Sequence, residues 1–568
     1  MASHMPVVAA GLRLETALGA LLAAVTRRSA QMWFGSAPHR LMLAGPRAKA
    51  LAALPRDFRP ADAKVGQAIL EGSWELAGVG LVLGSGGDPW NRPSPSRGFA
   101  EALHRFDWIA PLVATGEDGA REALRLVGEW RLVFGAWNDF SWSGEVLERR
   151  TYNLACAMAA LTPLASELEA EGLAGLLTRH ARQLLASVDP PWRGAERDVV
   201  AGVAACALGG KVGGSLLARA VARITRTLPD AVLADGGHAS RSPEAGLELL
   251  LDLLTFDDVC AQRGLETPVE AARAQDRLTA AMRFFTLPDG RLACFQGGEA
   301  SDPARIVAAR AHDDADAAGP PAHAPHAGYQ RMIGRKIQVM VDAGTPAPPP
   351  WSATACAQAV AIEVLCGTDR LITNAGWSAR SPEAQAQRLT DAASTAALGH
   401  HSTARPLSGW QAQALGPLLE GGPTGVEVQR SAAESGLWLD LLHDGWLADF
   451  GLMHRRRLFL DLLNDELRGE DQFEPAGDTS PTRVIPYTIR FHTPPGVETV
   501  LARDNRSVLL RGPSQKGWWL RNDAVEVRVE PAIHFQNGRQ LHTHQVVLMG
   551  HLHADKGGRV RWKLTAVE

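Results

Sequence analysis

The feature that most limits what this chain can fold into is a change of hydrophobic period part-way along it. From about Ala100 to Leu287, apolar residues recur every three or four positions, in segments such as Glu145–Leu161, Ala165–Val188, Leu216–Leu228 and Pro243–Gly264. That spacing lays one apolar stripe along each helix. Sequential helices of this length, joined by short loops, form antiparallel hairpins stacked as a bundle or closed into a ring, and the period alone does not choose between the two. At Asp313–Gly328 the pattern gives way to Ala, Pro, Asp and His, the texture of an interdomain linker. Beyond it come short alternating runs: Lys336–Asp342, Ala359–Cys366, Leu437–His443, Arg455–Leu463, Val484–His492, Ser507–Arg511, Ala524–Val529, Gln545–Met549 and Val560–Leu564. Period two between turn residues predicts an antiparallel sandwich.

A chain of 568 residues exceeds what one hydrophobic core serves, so at least two domains are expected. Fifty-eight basic against 62 acidic residues leave a net charge of -4, which supplies no field for nucleic acid. Six scattered cysteines without a CxxC pair point to reduced thiols, not to a zinc module or a disulfide framework. Met1–Met5 read as a cloning remnant, so a leader is not legible; the cytoplasm is slightly favoured and the periplasm stays open. Val7–Val25 is apolar but holds Arg13 and Glu15 and spaces Leu12, Leu14, Leu18, Leu21 and Leu22 helically, which predicts an amphipathic helix and no membrane span.

Strings in both halves carry a family resemblance: "LPRDFRPAD", "GDPW", "DGGHASRSPEAGLELLLDLL" (Asp235–Leu254), "MRFFTLPDGRLACFQGG", "GYQRM", "HDGW", "HRRRLFLDLLNDELRGEDQF" and "IRFHTPPGV". They resemble the heparinase II/III-like group over nearly all of residues 50–568. The resemblance implies an α+β multidomain protein, an N-terminal (α/α) toroid followed by a C-terminal antiparallel β-sandwich, with a substrate cleft where the two meet. The expected divisions are a helical segment at 1–50, the toroid at 51–312, the linker at 313–328 and the sandwich at 329–568. Characterised members of the group are lyases that cut uronic-acid glycans by β-elimination.

Elimination needs a group that neutralises the substrate carboxylate, a base for the adjacent proton and an acid for the departing oxygen. His238 follows two glycines, and Ser242-Pro243 is an N-cap with proline in the first turn, so His238 and Arg241 are placed on the loop entering a helix, where they can face a cleft. His238 is the candidate acid/base, Arg241 the carboxylate fork, and Glu244 a further substrate contact. Only three tyrosines exist. Tyr152, beside Asn153 and shortly after Arg149 and Arg150, is a candidate catalytic group, with Asn153 and Arg150 holding substrate. Tyr329 is either a catalytic partner or an anchor of the domain junction, and Tyr487 reads as packing. His443 and His401 are candidates for facing the toroid, the first as a catalytic helper and the second as a substrate contact. Trp137 and Trp142, flanking Asn138 and Asp139, are candidates for stacking on sugar rings.

The chain departs from the group's pattern at two places. Ala245 and Gly246 stand where many of these lyases carry a tyrosine, and Cys356, Asn374 and Ala393 stand where relatives place zinc ligands, so no metal and no cofactor are expected. His542, His544, His551 and His553 alternate along one strand face and read as exposed. The leading expectation is a lyase on an acidic polysaccharide or oligosaccharide, with no nucleic-acid partner, no membrane span and a homodimer as the oligomeric option. A glycan-binding or biosynthesis-associated protein that has lost catalysis is the alternative. A glycoside hydrolase drawing on Asp139, Asp235, Glu244 and Glu299 is the third reading.

Overall fold

The computed structural model describes residues 14–188, 190–313, 320–377, 384–476, 483–536 and 538–567. Helices fill the first half and antiparallel sheets the second, an open (α/α) toroid followed by a β-sandwich. The periodic segments become the helices Gly144–Leu161, Glu167–Ala186, Gly210–Ala231 and Pro243–Gln262, within a few residues of the expected ends.

Local chemistry sets those ends. Ser166 and Glu169 form a reciprocal capping box. The Ser242 hydroxyl accepts from the Ala245 amide with Pro243 in the first turn, as the sequence suggested. The hub of the toroid is Gly194–Ala207, every residue of which is buried. Small side chains make that possible: a Cβ on Gly202 would lie 2.9 Å from the Phe256 ring and 3.0 Å from Ile224, so glycine lets the neighbouring helices close on the hub.

Among the described residues three large antiparallel sheets and one two-stranded sheet, Ala404–Pro406 with Leu419–Gly421, build the second half. Five strands, His323–Ala324, Tyr329–Ile333, Ile337–Asp342, Ile362–Cys366 and Asp369–Ile372, lie in chain order. Eight strands form the largest sheet, in which Gly436–His443, Leu452–Asp461, Glu466–Pro475, Gly558–Ala566 and Gly517–Asn522 are successive neighbours. Four more, including Val484–His492 and the long Arg539–His553, form the third. Alternate burial along Leu452–Asp461 turns Leu458 and Leu460 into the shared core and Arg457 and Phe459 outward. His542, His544, His551 and His553 are exposed on their strand.

The linker differs from expectation. Residues 314–319 lie outside the described ones, but His323–Ala324 pairs with Tyr329–Gln330 and opens the five-stranded sheet. Tyr329, Met340, Ala361 and Leu365 share one apolar cluster with the toroid helices, so the halves meet through a continuous core. At the other end the helix Leu14–Phe34 begins where description begins; Leu12 and Arg13 lie outside it. Leu18, Leu21, Leu22 and Val25 are exposed along that helix. No helix among the described residues is long and apolar enough to cross a membrane. All six cysteines are free.

Candidate site at the junction of toroid and sandwich

Two connected hollows of about 770 and 300 Å³ lie at the junction and share Arg105, Glu145, Arg193 and Thr354. The larger is edged by Trp137, Phe140, Trp192 and Trp377 and by Phe34 from the N-terminal helix. The smaller is charged, with four arginines (Arg59, Arg105, Arg149, Arg193) against five carboxylates (Asp107, Glu145, Glu244, Glu248, Glu299).

These charges hold one another. Glu244, Glu248 and Asp252 stand one helical turn apart on Pro243–Gln262 and so present one acidic face. Arg305 spans Glu244 at 2.7 Å and Glu248; Arg59 sits 2.8 Å from both Glu248 and Asp252; Arg149 closes on Asp252. Arg193 pairs with Glu148, and Arg105 lies 3.1 Å from Asp107 and 3.6 Å from Glu145. Burial alone would raise the Glu145 pKa, but Arg193, Arg105 and Arg149 outweigh it and the group ends below the ordinary range.

Of the residues proposed from sequence, Asn153, Glu244, Trp137, Asp139 and Glu299 line these hollows. Asn153 donates to the Arg105 carbonyl at 2.9 Å. The Trp137 indole N–H has no partner among the described residues.

The others stand elsewhere, for reasons that can be named. Tyr152 is fully buried beneath the floor, its hydroxyl 2.9 Å from Asp57 and 2.8 Å from Thr255, with Arg59 and Arg149 each 4.9 Å from the ring centroid. Burial, then the Asp57 charge, pushes its phenol well above 10, so no phenolate base forms there at neutral pH. Arg150 is buried among aromatics, 4.3 Å from the Trp130 centroid, and donates to the His104 carbonyl at 3.1 Å. Trp142 is buried with its indole donating to the Phe134 carbonyl at 2.8 Å. Neither lines the hollows.

Arg241 adopts φ +64, a left-handed backbone that costs a non-glycine residue energy, and uses its guanidinium entirely inside the protein. It donates to the carbonyls of Ala327 at 2.8 Å, Gly328 at 3.0 Å and Thr345 at 2.5 Å, and pairs with fully buried Asp342. Tyr329 donates to the Arg241 carbonyl at 2.6 Å, and burial followed by the Asp342 charge raises its phenol well above 10. Arg241 and Tyr329 therefore rivet toroid to sandwich. Asp235 does likewise, accepting from the His326 and Ala327 amides at 2.7 and 2.8 Å.

His238 is buried just behind the cleft. Its Nδ1 accepts from the Ser240 amide at 3.2 Å, its Nε2 lies 3.4 Å from Glu196, and its ring meets Trp351 edge-on. Burial works to raise the Glu196 pKa, yet the hydrogen bond and charge of His238 hold it at about 2. His443 belongs to the sandwich core: Nε2 lies 3.0 Å from His454 Nδ1, and His454 Nε2 lies 2.8 Å from Asp471. Burial, then the neighbouring His454, lowers the His443 pKa well below 6.5, so it stays neutral. His401 lies on the sandwich surface, 3.3 Å from Asp449.

The positions where relatives hold zinc do not fit the ion. Asn374 donates to the Cys294 carbonyl at 3.2 Å and accepts from the Ser394 amide at 2.9 Å; Cys356 donates to the Thr354 carbonyl at 3.7 Å; Ala393 has no donor atom. Among the described residues no group of three His, Cys, Asp or Glu is placed to hold a metal.

Comparison with known proteins adds three findings. Residues 316–563 match the model of the heparinase II/III-like C-terminal family. Over 579 aligned positions, spanning all of both chains, the sequence is 49% identical to FtsZ-localized protein C of Caulobacter vibrioides (strain NA1000 / CB15N). The fold is similar to that of heparinase III, with a TM-score of 0.66 over 90% of this chain and 85% of that one at 12% identity. It is also similar to the heparan sulfate lyase HepC from Pedobacter heparinus, at 0.55 over 98% and 91% with 14% identity.

Proposed function

The chain belongs to the family of its FtsZ-localized relative and carries the heparinase II/III-like C-terminal domain over residues 316–563, and from that premise we propose that its cleft holds a saccharide without cleaving it. One observation carries the reading. The residue types elimination would use, Tyr152, Tyr329, His238 and Arg241, are buried with their polar atoms turned to other parts of the protein. A base must reach the proton it removes, and these do not reach the hollow.

The balance of charge favours a neutral or sparsely charged glycan over a polyanion, because a heavily sulfated or uronic chain would meet five carboxylates beside four arginines. Trp137 and Trp192, both partly exposed, offer the faces on which sugar rings stack, whereas Trp377 is buried beneath Arg388. The relative's name, a protein localised with FtsZ, supports a recruited role beside that partner in place of a degradative one. A hydrolase is disfavoured on the same geometry: Asp235 and Glu299 accept from backbone amides, Glu244 is tied to Arg305, and Asp139 accepts from the Gln31 side-chain amide at 2.8 Å.

The test is to incubate the full chain with heparin, heparan sulfate, hyaluronan, alginate and a set of neutral glycans, following binding by calorimetry and the conjugated elimination product by ultraviolet absorbance. Saturable binding with no product is expected. A product from any of the acidic glycans overturns the reading.

A further inference from the structure

A second hollow lies far from the junction chemistry, on the outward face of the eight-stranded sheet. Register builds it. Trp438, Phe459, Arg468, Lys563 and Arg521 stand side by side on five neighbouring strands, and two residues further along the same strands lies a second row, Asp440, Arg457, Glu470 and Arg561. Residues two apart share a face, so the rows are the walls of one groove of about 490 Å³. Its floor is sheet backbone whose polar groups are already paired across the strands, and its sides are aromatic rings and the carbon stems of arginine and lysine.

Trp438 is 50% exposed and stacks on Phe459 at 4.1 Å between centroids, with Arg468 over the same Phe459 ring at 5.6 Å. Around this apolar centre stand five cations, Arg457, Arg468, Arg521, Arg561 and Lys563, against three carboxylates, Asp440, Glu470 and Asp523, with Glu466 beside the groove pairing with Arg468 and Lys563. Glu470 pairs with Arg457 and Arg561, both at 2.8 Å, whereas Arg521 makes no ion pair among the described residues. An exposed aromatic anchor inside a cationic rim is the anatomy of a docking site, not of a sheet face left to solvent.

We propose that this groove docks an extended acidic peptide segment of a partner protein, with apolar side chains on the floor and carboxylates at the rim. Length and chemistry both fit. Five strands at about 4.8 Å spacing give a groove of roughly 19 Å, the span of about six extended residues. A sulfated glycan would satisfy the rim, but its densely charged chain has few apolar groups to set against the aromatic and carbon-lined sides, whereas an alternating acidic and apolar peptide uses both features.

The experiment follows fluorescence anisotropy of a short labelled peptide alternating glutamate with leucine, added to the full chain. The same peptide with lysine for every glutamate, and heparin, serve as competitors. Saturable binding is expected for the acidic peptide alone, about tenfold weaker in Trp438→Ala and in Lys563→Glu. Both positions are exposed, and thermal melts check that the variants fold. No binding, binding unaffected by either substitution, or full displacement by heparin with heparin itself binding at the same residues overturns the proposal. Self-association of the chain that is lost in Trp438→Ala would assign the groove to a second copy and likewise overturn it.

Discussion

The seam around Arg241 and the outer groove around Trp438 contain the same residue types, arginine and aromatics, used in opposite ways. At the seam each nitrogen of the Arg241 guanidinium donates, to Ala327, Gly328, Thr345 and Asp342, and Tyr329 is locked to the Arg241 carbonyl. In the groove Trp438 is half exposed and Arg521 makes no ion pair among the described residues. A side chain's type says which chemistry it can do; its partners say whether it is available to do it. Arg241 and Tyr329 act as joints between toroid and sandwich, whereas the groove leaves an aromatic face and a guanidinium without such partners among the described residues.

That contrast can be broken most forcefully at Asp342. Asp342→Ala leaves the Arg241 guanidinium buried without its counter-charge, and a loss of ~3–5 kcal/mol in urea unfolding is expected. A loss under ~1 kcal/mol would mean that the seam is not held by this pair.

Acid provides the next test. Burial, helped by the Arg150 charge, lowers His104 in the toroid to about 4; burial, against hydrogen bonds to backbone carbonyls, lowers His492 and His534 in the sandwich to about 4. Unfolded histidines take up protons near 6.5, whereas these folded ones do so only near 4. Their stabilising effect is thus intact above about pH 6.5, falls as pH drops through that window, and stops falling below about 4. Hydrogen exchange across this range should show the sandwich, where His443, His454, His492 and His534 are all lowered, losing protection more steeply than the toroid with His39, His104 and His180; a flat response contradicts the burial.

Tyr152→Phe removes one hydroxyl bonded to Asp57 and Thr255 and should cost about 1 kcal/mol of stability while leaving saccharide binding unchanged. Loss of binding would return Tyr152 to the site. Smallest of all, Trp438→Ala should change stability by under ~0.5 kcal/mol, since the ring is half solvated already.

Much of the fold was legible in the sequence. Val484–His492 and Ser507–Arg511 appear with the ends their alternation gave, and the cap at Ser242-Pro243 forms as its residues suggest, because both signals are local. The site was less legible. Arg241 could be placed on its loop, but its partner Asp342 is 101 residues away, and nothing near Arg241 announces it. Tyr152 looked available beside Asn153, yet a helix turns neighbouring side chains about 100° apart, so one lines the hollow and the other faces the core. The sequence does carry one signal of the charged floor: Glu244, Glu248 and Asp252 recur every four residues among the leucines of that helix, which marks an acidic face in need of cations.

The central claim is that the catalytic-looking residues of the junction are structural. Arg241→Lys tests it most directly, with urea stability and saccharide binding measured on the same preparation. Lysine keeps the charge and loses the fork. Lowered stability with unchanged affinity per folded molecule is the expected result; unchanged stability with lost affinity would make Arg241 a ligand-binding residue and contradict the account.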